Sequence, residues 1–347
     1  MLIAVTGGTG FLGAHTVAAL LRRGHRVRLL ARDPGAAPST VDVAAGDVTD
    51  PAAARRLVDG ADVLLHAAGV YTFDSRRRGE LWRVNVHGTE VVLAAARRAG
   101  TGRIVHVSTV GALYPAAEPS IGPASPVGGS REPYLASKAA AERIAREHRA
   151  DGAPVAVTHP PALLGPDDPH LGDQNARLRA VLRGLTPIWP GRGLPVGDVR
   201  DSAELHARLL TGEAPGGAFF GPGHFLTTRE YLATVRAATG RALPAVFLPP
   251  RALYPVGWLA DRLQRAWPWA LPVQYGAIHV CATAVPVAAD APAAGVAARP
   301  VLDTVRDTVA WLHAAGWLTR RQAGTALSSA VRTGPGSGTV QTEEVLP

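Results

Sequence analysis

The sequence predicts an α/β fold in which helices pack on both faces of a parallel sheet. The chain begins with a short apolar segment, residues 2–6, which leads into a glycine-rich turn and then into a helical pattern. Short apolar segments and longer amphipathic segments continue to alternate through the first half of the chain. Strands that alternate with helices in this way form parallel sheets, whose ligands bind at the carboxyl ends of the strands.

Each predicted strand is short and rich in Val, Leu and Ile, as expected for strands that are buried on both faces of a sheet. The predicted strands are residues 2–6, 26–31, 61–66 and 103–108. The predicted helices are residues 11–23, 51–59, 80–99 and 134–149. Connections of this kind between parallel strands are right-handed crossovers.

The turn after the first strand reads Gly7-Gly8-Thr9-Gly10-Phe11-Leu12-Gly13. Gly7 would permit the tight turn, Gly10 would let backbone N–H groups reach a pyrophosphate, and Gly13 would let the helix pack close to the strand. The helix N-terminus would then face the phosphates with its partial positive charge. A plain strand-to-helix turn is the alternative, but this spacing directly behind a strand predicts a dinucleotide site.

Tyr134 and Lys138 fall on one face of a predicted helix at i, i+4, so their side chains can interact. Lys138 is the single lysine among the 36 lysine and arginine residues of the chain. A free phenol titrates near pH 10. We expect the nearby ammonium, together with the positive nicotinamide ring of an oxidised cofactor, to lower the pKa of Tyr134, so that its side chain can exchange a proton near neutral pH. An exposed helix pair without a catalytic role is the alternative.

The glycine spacing and the Tyr-x-x-x-Lys pattern together resemble the extended short-chain dehydrogenase/reductase superfamily, most closely its dihydroflavonol reductases and related bacterial reductases and epimerases. Further matching motifs follow in the family's order: Gly46-Asp47-Val48, His66-Ala67-Ala68-Gly69, Val84-Asn85, Val107-Ser108-Thr109 and the segment 160–166. The resemblance implies a Rossmann-type doubly wound parallel sheet with a smaller C-terminal substrate lobe. It also implies a homodimer through the helices near 80–99 and 134–149.

The resemblance assigns roles to individual residues. Tyr134 would be the acid/base, Lys138 would hydrogen-bond the nicotinamide ribose, and Thr109, with Ser108 as the neighbouring hydroxyl, would polarise a substrate carbonyl. The cofactor would be bound by Gly7, Thr9, Gly10, Phe11, Leu12, Gly13, Arg32, Asp47, Val48, Ala67, Ala68, Gly69, Asn85, Tyr134, Lys138, Pro160 and Leu163. Candidate substrate contacts are Tyr71, Phe73, Thr109, Leu164 and Trp189, of which the apolar ones could equally be core residues.

The end of the second strand bears on the choice of cofactor. NAD-binding proteins usually place an acid there for the ribose 2′-OH, whereas NADP-binding proteins supply an arginine. Here the sequence is Ala31-Arg32-Asp33. Arg32 would contact a 2′-phosphate and favours NADP(H), while Asp33 leaves NAD(H) open.

The superfamily carries out reduction, epimerisation and dehydration, so neighbouring residues must distinguish them. Dehydratases place an Asp-Glu pair directly after the catalytic Thr, whereas Val110 and Gly111 follow it here. Beyond the nicotinamide loop, where epimerases often carry polar groups, residues 162–164 are apolar. We therefore predict an NADP(H)-dependent oxidoreductase that reduces a ketone or aldehyde on a mainly apolar small molecule. A sugar-nucleotide epimerase and a non-catalytic NADP-binding redox sensor remain the alternatives.

Composition argues against several other classes. The formal net charge is +8, but the arginines are scattered singly, so we expect no nucleic-acid partner. The chain has one cysteine, no leader peptide and no apolar run of about 18 residues, which predicts a cytoplasmic protein without a transmembrane segment. No spacing typical of a metal site or of a hydrolase elbow occurs.

The second half of the chain is richer in Pro and Gly. We expect residues 1–160 to form the nucleotide-binding domain, to which later segments return, and residues 161–320 to form mainly the substrate lobe. Residues 187–195 are a predicted loop, and Asp201 is the predicted cap of a helix. Residues 115–133 are a long predicted loop, which could be a lid, a binding loop or a disordered excursion. Residues 254–269 form an amphipathic segment that could pack over the lobe or rest on a membrane surface. Residues 324–347 are predicted to be disordered.

Overall fold

A parallel sheet forms the centre of the protein. The computed structural model describes residues 1–212, 216–264 and 274–327. The strands are β1 (Leu2–Thr6), β2 (Arg26–Ala31), β3 (Asp42–Ala45), β4 (Val63–His66), β5 (Arg103–Val107), β6 (Val155–His159), β7 (Ala162–Leu164), β8 (Ile188–Pro190), β9 (Gly193–Asp198), β10 (Gly217–Phe220), β11 (His224–Thr227) and β12 (Val246–Leu248). Seven of them, in the order β10-β6-β5-β4-β1-β2-β3, form the central sheet.

Helices cover both faces of this sheet. They are α1 (Phe11–Arg22), α2 (Pro51–Val58), α3 (Arg78–Leu81), α4 (Gly88–Arg98), α5 (Pro133–Ala150), α6 (Asp173–Leu182), α7 (Val199–Thr211), α8 (Thr228–Thr239), α9 (Pro250–Gln264), α10 (Tyr275–Thr283), α11 (Val301–Ala314) and α12 (Arg320–Ala323). One apolar core joins α1 and α7 to the sheet, and a second joins α2, α4 and α5 to it. The prediction of a doubly wound parallel sheet is confirmed.

The order of the strands places the site. Every neighbouring pair in the central sheet is parallel. The chain moves outward from β1 to β2 and β3, and then returns to the other side of β1 with β4. In such a sheet a crevice opens at the carboxyl ends of the strands, at the point where the order reverses. The glycine turn follows β1, so it lies at that crevice.

The predicted elements of the first half are present, with two differences. Strand β3 was not among the predicted strands, and the helix expected at 80–99 is not continuous. Between α3 and α4 the chain forms a π-helical segment, Trp82–His87. Such segments are rare and occur often at functional sites.

A smaller lobe is built on two further sheets, β11-β9-β7 and β12-β8. Its core joins α6, α8 and α11 through residues such as Leu178, Leu232 and Val309, which are fully or almost fully buried. The expectation that residues 187–195 form a loop was wrong, because they contain β8 and the start of β9. Pro190 is tolerated because it ends β8, which is an edge strand.

Two other expectations can be compared with the structure. Asp198, and not Asp201, caps α7: its Oδ1 accepts a hydrogen bond from the Arg200 N–H at 2.8 Å. Asp201 instead accepts hydrogen bonds from the backbone and side chain of Arg299. The long segment 115–133 is anchored, because Ile121 is fully buried and bonds to the Pro286 carbonyl at 2.9 Å.

The expected tail, 324–347, lies outside the described residues apart from residues 324–327, where Ala326 is buried. Among the helices that are described, none is both long and apolar enough to cross a membrane. Within the same residues, no group of three or more His, Cys, Asp or Glu side chains is arranged to hold a metal ion.

Candidate active site

The glycine turn between β1 and α1 has the shape that a pyrophosphate requires. Gly7 has a φ of 73°, in the left-handed region, and a Cβ there would lie 2.6 Å from the backbone of Ala67. A Cβ on Gly13 would collide with the carbonyl oxygen of Gly7. Gly10 is the N-cap of α1 and has no side chain to accept from the first-turn N–H groups. These residues therefore fit the phosphates of a dinucleotide.

The rim near the ends of β2 and β3 carries the residues expected to contact the adenosine. Thr49 donates to Asp47 Oδ1 from its backbone N (3.0 Å) and its hydroxyl (2.7 Å). Burial acts to raise the pKa of Asp47, but these bonds and the charges of Arg83 and Arg32 lower it below its usual value. Arg32 therefore lies close to Asp47. Asp33 accepts from the Gly35 N–H at 2.9 Å, which engages one of its oxygens.

The segment after β4 runs past the same crevice. Ala67 and Gly69 line the cavity described below, whereas Ala68 donates its N–H to the Thr6 hydroxyl at 3.1 Å. Asn85 is buried in the π-helical segment. Its side chain bonds to the Val70 N–H (2.7 Å), to the Val70 carbonyl (3.1 Å) and to the Ser137 hydroxyl (3.0 Å). Asn85 thus fixes the segment that borders the crevice, and its direct contact with a cofactor stays a prediction.

A cavity of about 630 Å³ extends from the crevice into the smaller lobe. Its walls include Phe11, Leu12, Ser108, Thr109, Tyr134, Lys138, Pro160, Leu163 and all of the predicted substrate contacts (Tyr71, Phe73, Thr109, Leu164 and Trp189). The remaining predicted cofactor residues (Gly7, Thr9, Gly10, Gly13, Arg32, Asp47, Val48, Ala68 and Asn85) do not line it. They lie in the glycine turn, near the ends of β2 and β3, and behind the cavity wall. Most of the lining is apolar, a typical property of small-molecule sites.

Tyr134 lies at the start of α5, which begins at Pro133 directly after its N-cap, Glu132. Its ring meets the ring of Tyr71 edge to face, with 4.7 Å between the centroids. Burial raises the pKa of Tyr134 well above its usual value, and nearby Tyr71 and Glu132 add to the increase. A side-chain hydrogen bond with Thr109 acts in the opposite direction. The expectation of an acidified phenol therefore does not hold for the chain without ligands.

The second member of the predicted pair, Lys138, is buried one turn further along α5. Its Nζ donates to the carbonyl of Val107, at the end of β5, at 2.7 Å. Burial lowers the pKa of Lys138 from 10.5 to about 8, while the carboxylate of Glu142 acts to raise it. Burial therefore destabilises both the ammonium and the phenolate.

The two neighbouring hydroxyls after β5 have different surroundings. Thr109 is half-buried and its hydroxyl faces Tyr134 and the Pro160 carbonyl, 3.4 Å away. Ser108 is buried and donates to Glu142 Oε2 at 2.6 Å. The other oxygen of Glu142 bonds to His159 Nε2 at 3.0 Å. Ser108 is thereby held in a buried network, and Thr109 is the hydroxyl that pairs with the phenol.

Several residues of the site were not identified from the sequence. Glu142 follows Lys138 at i+4 on α5, a spacing that could have indicated its place in the network. Burial raises the pKa of Glu132 to about 7. In the cavity wall, Arg177 bonds to Gln274 Oε1 at 2.9 Å, and Gln174 donates to the Tyr71 hydroxyl at 2.9 Å. No sequence pattern indicated these last contacts, which join α6 to distant segments.

Comparisons with known proteins agree with this geometry. The sequence model of the NAD dependent epimerase/dehydratase family matches residues 3–219. The chain is 32% identical over 292 residues to the 2-alkyl-3-oxoalkanoate reductase of Stenotrophomonas maltophilia, covering 77% of this chain and 84% of that protein. It is 37% identical over 276 residues to the 4-hydroxy-2-methyl-3-oxo-4-farnesyl-3,4-dihydroquinoline-1-oxide ketoreductase of Stigmatella aurantiaca, covering 76% and 80%.

Among solved structures, the protein gox2253 superposes with a TM-score of 0.76 at 28% identity, covering 92% of this chain and 99% of the other. The family match spans more than half of the sequence, from β1 to β10. It includes the glycine turn, Thr109, Tyr134 and Lys138. The chain therefore belongs to the NAD-dependent epimerase/dehydratase family, within the extended short-chain dehydrogenases/reductases, and is an NAD(P)-dependent oxidoreductase.

Proposed function

We propose that the protein is an NADP(H)-dependent reductase of a ketone or aldehyde carried by a mainly apolar small molecule. The observation that carries the proposal is that the hydroxyl-bearing side chains of Thr109 and Tyr134 face each other in the wall of a large apolar cavity. Two hydroxyls that meet at one place can both bond to a single carbonyl oxygen. An apolar cavity with a few directed polar groups suits a substrate of this kind better than a nucleoside diphosphate sugar.

The raised pKa of Tyr134 defines its part in the reaction. A phenol that stays protonated can donate a proton to the carbonyl oxygen while the carbonyl carbon is reduced. Thr109 would donate a second hydrogen bond to the same oxygen, which favours the negative charge that develops there. The reduced dinucleotide, when bound, supplies the hydride. Lys138 would hold the nicotinamide ribose, as the resemblance to the superfamily implies.

Arg32 supports NADP(H) over NAD(H). It is exposed at the end of β2, close to Asp47, and its guanidinium is available for a 2′-phosphate. Asp33, the residue that would favour NAD(H), already accepts a hydrogen bond from the Gly35 N–H. The residue at the end of β2, where NADP(H) and NAD(H) would be distinguished, is thus a cation.

The names of two relatives support the substrate class. The Stenotrophomonas protein is named for an oxo acid with an alkyl group, and the Stigmatella protein for an oxo compound with a farnesyl group. Both names combine a carbonyl with an apolar substituent. In this chain, Trp189, Leu164 and Leu253 are among the apolar side chains that would surround such a substituent.

The proposal is tested by following NADPH absorbance with a series of ketones and aldehydes of increasing alkyl length. We expect net oxidation of NADPH. Tyr134→Phe should lower kcat by about 10²–10⁴-fold and leave NADPH binding intact. Tyr254→Phe, outside the cavity wall, is the matched control.

Other outcomes would point to the alternatives. A dinucleotide that co-purifies and is never consumed, together with interconversion of sugar epimers, would establish an epimerase. Tight NADPH binding without turnover of any carbonyl in the series would favour a redox sensor. A homodimer through α4 and α5 and a cytoplasmic location are part of the same proposal; sedimentation and cell fractionation test them.

A further inference from the structure

Helix α9 has one face buried and one face that is apolar and exposed. Leu253 and Gly257 are buried, and Gly257 packs so closely on α10 that a Cβ would lie 2.9 Å from Ile278. On the other side, the exposed large side chains are Val256 (51%), Trp258 (55%), Leu259 (53%) and Leu263 (56%). The helix is therefore anchored to the lobe and presents apolar groups outward.

The two-stranded ribbon of β8 and β12 adds to this surface. Ile188 and Val246 are paired in register, and each is 56% exposed. We call α9 together with this ribbon the apolar rim. Six of the eleven large apolar side chains that are exposed in the described part of the protein belong to the rim. Single exposed apolar residues are ordinary, but a concentration of them marks an interaction surface.

The apolar rim is continuous with the cavity. Ile188 and Val256 both line the cavity and are more than half exposed, so they lie at its mouth. Ala252 of α9 is also both exposed and part of the lining. The apolar rim and the apolar cavity thus share side chains at the cavity mouth.

The charges near the apolar rim indicate which kind of partner surface it would bind. The charged residues of α9 are Arg251 and Arg262, which are exposed, and Asp261, which is half-buried. The guanidinium of Arg262 lies 4.6 Å from the centroid of the Trp258 ring, and that of Arg229 lies 4.2 Å from the Phe247 ring of β12. Exposed Trp and Leu side chains bordered by arginine are typical of helices that lie in the interface of an anionic bilayer.

We infer that the apolar rim docks on an anionic lipid surface, and that an apolar ligand passes from the lipid into the cavity beside it. The exposed side chains enter the boundary between headgroups and acyl chains, while the arginines contact lipid phosphates. The docking does not depend on the proposed reaction, because Trp258, Leu259 and Leu263 do not line the cavity.

The test uses the full chain and flotation with vesicles of phosphatidylcholine alone or of phosphatidylcholine and phosphatidylglycerol in equal parts. The wild-type protein should float with the anionic vesicles. The variant Trp258→Glu/Leu259→Glu/Leu263→Glu should bind the anionic vesicles with an affinity lower by roughly a hundredfold or more, because three apolar side chains that would be buried in the bilayer are removed. Trp317→Glu is the control, because Trp317 is 42% exposed and lies outside the rim. Circular dichroism checks that all variants fold.

A second readout separates docking from chemistry. The triple variant should keep wild-type activity on a water-soluble ketone and lose it on a ketone embedded in vesicles. Equal flotation of the triple variant and the wild type would overturn the inference, as would a wild-type protein that floats with neither vesicle. A wild-type dimer that the triple variant converts to monomers, without vesicle binding, would overturn it in favour of an interface between two copies of the chain. If no carbonyl is reduced, flotation still decides the docking.

Discussion

Lys138 offers a direct measurement of what burial does to the site, because it is the single lysine of the chain. Its pKa is lowered from 10.5 to about 8 by burial. Between these two pH values the unfolded chain holds the proton and the folded chain has released it. The unfolded state then binds more protons, so folding becomes more favourable as the pH rises through this window. Below about pH 8 Lys138 is protonated in both states, and the buried ammonium lowers the free energy of unfolding by its full amount.

The size of the effect follows from the shift. A difference of about 2.5 pH units at about 1.4 kcal/mol each corresponds to about 3 kcal/mol of unfolding free energy. Lys138→Met removes the titrating group and leaves the other ionisable residues in place. The free energy of unfolding of the wild type, relative to that of the variant, should therefore rise by about 3 kcal/mol between about pH 8 and pH 10.5.

Two measurements check this. Protein grown on isotope-labelled lysine gives a single lysine side-chain signal by NMR, whose titration in the absence of cofactor reports the pKa directly. Urea unfolding of both proteins across the window reports the free energy. The reasoning would be refuted by a lysine signal that titrates near pH 10, or by a difference between the two proteins that stays constant with pH.

Three further predictions concern the cofactor site and the buried network. Gly13→Ala should abolish NADPH binding while the protein stays folded, because the added Cβ collides with the Gly7 carbonyl oxygen; fluorescence titration with NADPH measures this. Arg32→Ala should weaken NADPH binding by roughly tenfold and leave NADH binding unchanged, since a single charge-assisted contact to phosphate is lost; equal losses for both would argue against a 2′-phosphate contact. Glu142→Gln should cost about 3–5 kcal/mol of unfolding free energy by breaking a buried ion pair, whereas the exposed Glu147→Gln on the same helix should not. Burial acts to raise the pKa of Glu142, but His159, Ser108 and Arg146 lower it to about 2. The extra stability of the wild type over Glu142→Gln should therefore be lost as the pH falls below about 4.5. Acid unfolding curves of the two proteins that stay parallel would contradict the assignment.

The central sheet could be predicted because its signals are local. The β1 segment is apolar up to Thr6, and Gly7 and Gly13 stand where backbone geometry tolerates no side chain. Tyr134 and Lys138 were found for the same reason, since helical spacing alone places them together. These features depend on a few consecutive residues, so the sequence determines them without knowledge of the rest of the fold.

The rest depends on contacts between distant parts of the chain. β8 is short and ends in proline, and it becomes a strand only by pairing with β12, about 60 residues later. In the chain without ligands, burial raises the pKa of Tyr134, contrary to the effect expected from the ammonium, because proximity to an ammonium is visible in the sequence and burial is not. The contribution expected from an oxidised cofactor stays a prediction. The cap at Asp198 rather than Asp201 is a difference of less than one turn, which composition does not resolve.

The shielding of the Tyr134 phenol has a consequence for the direction of the reaction. A side chain that resists ionisation gives up a proton only when a strong acceptor forms beside it, as an alkoxide does, and it makes a poor base in its resting form. Oxidation of an alcohol requires that base. The proposed reduction therefore uses Tyr134 in its protonated resting form, and we expect oxidation of an alcohol by the same site to need alkaline solution or a cofactor whose positive ring draws the proton away.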